Sequence, residues 1–249
     1  MKLSPQERAD RRAAFRRMGL AEKLGYILAY YKLPLVLILI AAIAAGSVIT
    51  RLATRKNELL YLALVNVSVG DDLTDSLTDG FVAAMGEDPG ESEVYVYAGL
   101  YLSENPAEEN HEYSYASRLK LLAAIDAEQL DVVLLNREAY DLLSRSGYLL
   151  DLHDLPGTED APPLSDAAAY LTENDVILDD NALEVRLGTA DAYEAVTVTA
   201  VNAVEISSLP LFAPAGFSEP VYLGVIANSP RLPAAAAYIA RILSPAPRS

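Results

Sequence analysis

The chain has 249 residues, 52 % of them apolar, a formal charge of −16 and no cysteine. Such a chain is not disordered throughout, is long enough for one or two domains with a core, and is too acidic for a nucleic-acid surface, which must be basic. The lack of cysteine excludes disulfides, zinc–thiolate sites and thiol nucleophiles, and does not fix the compartment.

The charge is divided along the chain. Residues 1–32 hold eight basic and three acidic side chains, Arg51, Arg55 and Lys56 follow, and residues 57–249 hold eight basic and 32 acidic ones. Ser4, Pro5 and Glu7 form a helix-start signal for the basic segment. Phe15, Met18, Leu20, Leu24 and Ile27 recur at roughly helical spacing, so the segment reads either as an amphipathic helix on anionic lipid or as a topogenic flank.

Between the two halves lies "LPLVLILIAAIAAGSVIT", residues 33–50, without a charge. Eighteen residues at ~1.5 Å each are just enough to cross a hydrocarbon core of ~30 Å. Ten are Leu, Ile or Val, which favours insertion by about 3 to 6 kcal/mol. The basic flank precedes the apolar run, so residues 1–32 are expected in the cytoplasm and the acidic part outside. A cleaved signal peptide is the competing reading, with Ala42–Ala44 as its small-residue site. The 32 residues before the apolar run favour an uncleaved anchor. Residues 51–58 then serve as a juxtamembrane linker.

From residue 59 the pattern alternates. "LLYLALVNVSV" (59–69) predicts a buried strand, and the sequence from Asp72 to Gly86 a helix with Asp72 as cap. "EVYVYAGLYL" (93–102) predicts a second strand. Tyr115, Leu119, Leu122 and Ile125 mark a second helix. "LDVVLLN" (130–136) predicts a third strand, and "REAYDLLSRSG" a helix ending at Gly147. Such β-α-β-α-β-α order argues a parallel sheet with helices on both faces, whose ligands sit beyond the carboxyl ends of the strands. After Leu155 come a loop, a short helix and strand within 166–180, strands at 195–206 and 218–229, and a last helix opened by Ser229 and Pro230.

The succession "LKLLAAIDAEQLDVVLLNREAYDLLSRSGYLLDLHDL" resembles the first lobe of the extracellular solute-binding proteins of ABC importers, the type II periplasmic-binding-protein family. In that family a helix, a "-DVVLL-" strand and a helix leading into "-G-LLDL-DL" recur together. "VYLGVIANSPRLPAAAAYIARILSP" is similar to the family's return strand and late helix. The resemblance covers most of residues 59–155 and 220–245. It implies an extracytoplasmic α/β domain over 59–249, a three-layer parallel-sheet main lobe at 59–155 and 220–249, a reduced second lobe at 156–219, and a small ligand between them. The chain departs from the family in its short second lobe, its lack of tryptophan and its membrane anchor.

The ligand-binding candidates are Ser68, Gly70, Asp71, Asn136 and Tyr222. Asp71, with Asp72, follows the first strand, where the resemblance places part of the site; both also suit a helix start. Ser68, Gly70 and Asn136 stand at strand ends, where hydrogen bonds to a ligand compete with turn and cap roles. Tyr222 either lines the cleft or packs inside. Neither His111 nor His153 has a second His or a Cys at ligand spacing in the sequence, and the acidic clusters "EDPGESE" and "ENPAEENHE" lack the calcium-loop pattern. No metal or cofactor is expected. With no catalytic motif present, the reading is not an enzyme. Two functions remain: capture or sensing of a small ligand, or an envelope scaffold that binds a membrane or envelope protein and has no working cleft.

Overall fold

The apolar runs become strands: β1 (Asn57–Val65), β2 (Ser92–Leu100), β3 (Val132–Leu135), β4 (Leu171–Asp180), β5 (Ala195–Glu205) and β6 (Tyr222–Val225). The computed structural model describes residues 56–105, 111–157 and 168–244, with positions 6, 19, 36, 37, 40, 43 and 46. The chain divides into two units, Met1–Arg55 and Lys56–Ser249. Apart from the isolated positions, the basic segment, the apolar segment 33–50 and the triplet Ala42–Ala44 lie outside the described residues. Among the described residues no helix is long and apolar enough to cross a membrane.

In the second unit the six strands form one sheet in the order β2-β1-β3-β6-β5-β4. β1 runs parallel to β2 and β3, with Leu62 opposite Val132 and Leu64 opposite Leu134. The remaining neighbours are antiparallel. The expected parallel sheet is thus a mixed one. Its reversal follows from connectivity: β5 reaches β6 through 206–221 without a crossover α-helix, which an antiparallel neighbour permits. Residues 171–205, expected within a reduced second lobe, supply β4 and β5 at the edge of this same sheet.

The helices are α1 (Asp71–Leu77), α2 (Asp79–Ala84), α3 (His111–Asp126), α4 (Arg137–Arg145), α5 (Ala182–Leu187) and α6 (Leu232–Leu243). The helix expected from Asp72 is two helices, parted at Thr78. The Thr78 hydroxyl and backbone N–H both donate to the Thr74 carbonyl, at 2.9 Å each, and such back-bonding bends a helix. The last helix starts at Leu232 without a side-chain cap; Ser229 is used elsewhere.

Strand alternation divides the core into two layers. Leu60, Leu62 and Leu64 of β1, with Val132 and Leu134 of β3, pack with residues of α1, α2 and α6. Ala63, Val65, Val133 and Leu135 face the other way and pack with α3 and α4. β3 is covered on both sides, which makes its sequence continuously apolar.

Two polar networks lock the layers. Asp131, fully buried before β3, accepts hydrogen bonds from the Tyr61 N–H (2.7 Å), Ser229 Oγ (2.6 Å) and Arg231 Nε (2.8 Å). It thereby ties β1 and β3 to the start of α6, and Arg231 also lies 4.6 Å from the Tyr61 ring centroid. In the second network Tyr140 donates to Asn202 Oδ1 (2.8 Å), Asn202 Nδ2 donates to Ser144 Oγ (2.7 Å), and Ser144 donates to the Asp175 carbonyl (3.2 Å). These bonds hold α4 against β5 and the near half of β4. Buried polar groups satisfied in this way specify one packing.

Candidate functional site

In an open α/β sheet the crevice opens where successive connections leave a strand in opposite directions, outside the carboxyl ends. Here that point lies between β1 and β3, because β1 is flanked by β2 and β3. A hollow of about 460 Å³ occurs there, lined among others by Asn66, Ser68, Tyr101, Tyr113, Asn136 and Glu219.

Asn66 organises the hollow. It ends β1 with φ of 57°, a left-handed conformation that asparagine tolerates better than most residues. Its amide pairs with the backbone of Leu102: Nδ2 donates to the carbonyl (2.7 Å) and Oδ1 accepts from the N–H (2.8 Å). Asn66 Nδ2 also donates to Asn136 Oδ1 (3.2 Å). Asn136 ends β3 and caps α4, its Oδ1 accepting from the Ala139 N–H at 3.0 Å. Its Nδ2 reaches Glu219 Oε1 at 3.5 Å. The two asparagines therefore fasten three strand ends to one another.

The rest of the rim is polar and aromatic. Glu138 Oε1 accepts from Ser103 Oγ (2.9 Å) and the Glu104 N–H (3.0 Å). Tyr113 donates to the Gly99 carbonyl, and its ring lies 6.5 Å from that of Tyr101. Glu138 and Glu219 make the hollow acidic.

The sequence candidates separate. Ser68 and Asn136 meet in the hollow. Gly70 and Asp71 line a neighbouring one of about 510 Å³ against Leu211, Pro214 and Ala215. Gly70 is the N-cap of α1, with Asp71 and Asp72 in its first turn, where carboxylates are favoured by the helix dipole. Tyr222 is 6 % exposed and stacks on Tyr140 at 4.7 Å. Arg137 lies over both rings, 5.6 and 5.7 Å from the centroids. Hydrogen bonding to Tyr222, then to Asp141, holds the Arg137 guanidinium above its usual pKa. Burial pushes the Tyr140 phenol above its ordinary value, although the cation of Arg137 opposes this. Of the two histidines, His111 begins α3, and His153 Nδ1 lies 2.8 Å from Asp151 Oδ1 in a local turn.

Asn66, Glu138, Tyr113 and Glu219 were not among the candidates. An asparagine interrupting the apolar run "LALVNVSV" was the signal for the first. The others lie on a helix, beside a polar loop and in a connection, and nothing in their spacing joins them. No family model matches the chain, and no curated protein or solved structure shows significant similarity to it.

Proposed function

We propose that this is a single-pass membrane protein whose extracytoplasmic α/β domain resembles solute-binding proteins and works as an envelope scaffold or protein-interaction domain. The observation that carries this reading is the state of the hollow. A ligand-capturing cleft needs polar groups converging from both walls. The amides of Asn66 and Asn136 are instead committed to internal hydrogen bonds. Residues 171–205, from which an opposite wall was expected, are spent on β4 and β5. Membrane attachment is supported by the uncharged segment 33–50 between a basic and an acidic half.

A second reading, capture or sensing of a small ligand, is favoured by the hollow's position at the switch point and by its Ser68, Tyr101, Tyr113 and Glu219 lining. With two carboxylates on its rim, the hollow disfavours a bare anion. Thermal unfolding of the full chain in detergent, with sugars, amino acids, peptides and anions added in turn, separates the readings. Ligand at a hundred times Kd adds about 2.7 kcal/mol of stability. The scaffold reading expects no stabilisation by the sugars, amino acids or anions, and none by a peptide that Ser68→Ala or Glu219→Gln removes. A stabilising compound whose effect is lost in Ser68→Ala or Glu219→Gln would establish capture in its place.

A further inference from the structure

Beyond the reach of α4, β4 and β5 continue as a two-stranded ribbon closed by α5. Its residues Ala195–Thr199 are all exposed, and so are Leu178 (65 %), Leu183 (53 %), Leu187 (67 %), Tyr193 (54 %), Val196 (61 %) and Val198 (46 %). Apolar side chains concentrated on one projecting element mark an interaction surface. The ribbon is also strongly charged: residues 171–199 carry seven carboxylates and one basic side chain, Arg186.

β4 is the terminal strand of the sheet. Its near half is held by α4 through the Ser144 bond to the Asp175 carbonyl. Among the described residues its outer edge pairs with no strand. An edge strand offers backbone donors and acceptors to another extended segment. The carboxylates decide which segment fits. A second copy would set Asp179 and Asp180 near their own equivalents, and like charges across a strand pair are destabilising. An anionic lipid surface meets the same repulsion. A basic strand neutralises them.

We propose that the distal β4–β5 ribbon docks a basic, extended polypeptide segment, which adds to the outer edge of β4 along Val176–Asp180. Its alternate apolar side chains rest beside the exposed Leu178 of β4, the strand it joins, and its lysines or arginines meet the carboxylates. The proposal rests on the protein-interaction reading and gives that reading a surface and a partner chemistry.

The test uses the full chain in detergent and a synthetic peptide of alternating lysine and valine, about ten residues long. Controls are alternating glutamate–valine and alternating lysine–serine peptides. The lysine–valine peptide is expected to bind at least about tenfold more tightly than either control. It should weaken with salt, slow amide exchange at Val176–Asp180, and lose about tenfold in affinity in Leu178→Thr. Should that variant misfold, Asp179→Asn and the exchange at β4 decide the matter by themselves. Equal binding of the three peptides, binding without protection of β4, or no binding overturns the proposal. So does self-association or anionic-vesicle binding that Leu178→Thr abolishes, since another occupant then covers the ribbon. Failure of the underlying reading is distinguishable: it shows as a small-molecule effect lost in Ser68→Ala, a residue outside the ribbon.

Discussion

In β3 all four side chains are shielded from solvent, whereas in the first five residues of β5 all are exposed. Both segments are rich in valine, and both belong to one sheet. The difference is what covers them. Fully burying a valine or leucine stabilises by about 1.5–3 kcal/mol, and β3 gains this on both faces. The distal ribbon has little beyond its ladder hydrogen bonds, and an isolated two-stranded hairpin is marginal in water. The apolar side chains of the ribbon thus add little to the fold, and the proposed docking of a partner segment would give them a use. Asn66 and Asn136 at the ends of β1 and β3 show the converse: polar side chains bonded to the fold itself.

Breaking the covered half should have the largest effect. Asp131→Ala leaves the Tyr61 N–H, Ser229 Oγ and Arg231 without their acceptor, at a cost of about 3 kcal/mol or more. Urea unfolding of the full chain measures it, and a loss below about 1 kcal/mol would mean that the network does not lock β1, β3 and α6.

A smaller effect, silent at neutral pH, comes from the buried phenols. Burial raises both Tyr140 and Tyr238 above their ordinary value of 10.0. A raised folded-state value means that the unfolded chain loses these protons first. Their contribution is complete below about pH 10 and is lost as the pH climbs towards the folded values. Urea midpoints taken from about pH 9 upward should fall, and Tyr140→Phe with Tyr238→Phe should flatten the decline. An unchanged slope in the double variant would show that other groups carry it.

Substitution of the ribbon should do least to stability. Val196→Thr and Val198→Thr replace exposed side chains and are expected to stay within about 0.5 kcal/mol of the parent in the same urea experiment. A larger loss would place the ribbon among the parts that hold the molecule together.

Much of the covered half was legible in the sequence, because β1, β3 and α4 carry the periodicities that burial imposes. The face of α3 was not: Tyr115 and Leu119, expected to mark it, are exposed, and Ser117, Leu121, Ala124 and Ile125 are the buried ones. Strand direction was not. The run around Tyr222 is apolar on both faces, so its letters say neither that β6 is antiparallel nor that Tyr222 points inward onto Tyr140. β5 was legible as a strand, but its sheet was not: that is settled by Tyr140, Asn202 and Ser144, which lie far apart in the chain and carry no motif. At the hollow, Ser68 and Asn136 followed from the rule about strand ends. Glu138 and Glu219 did not, being brought there only by the fold. The break at Thr78 rests on one hydroxyl and is invisible to hydrophobic periodicity.

Hydrogen–deuterium exchange on the full chain, read residue by residue, tests the contrast most directly. Amides of β1, β3 and β6 should exchange only through global unfolding, while those of Val176–Asp180 and Val196–Thr199 should exchange orders of magnitude faster through local opening. Equal protection of the distal ribbon and β3 in the protein alone would contradict the account.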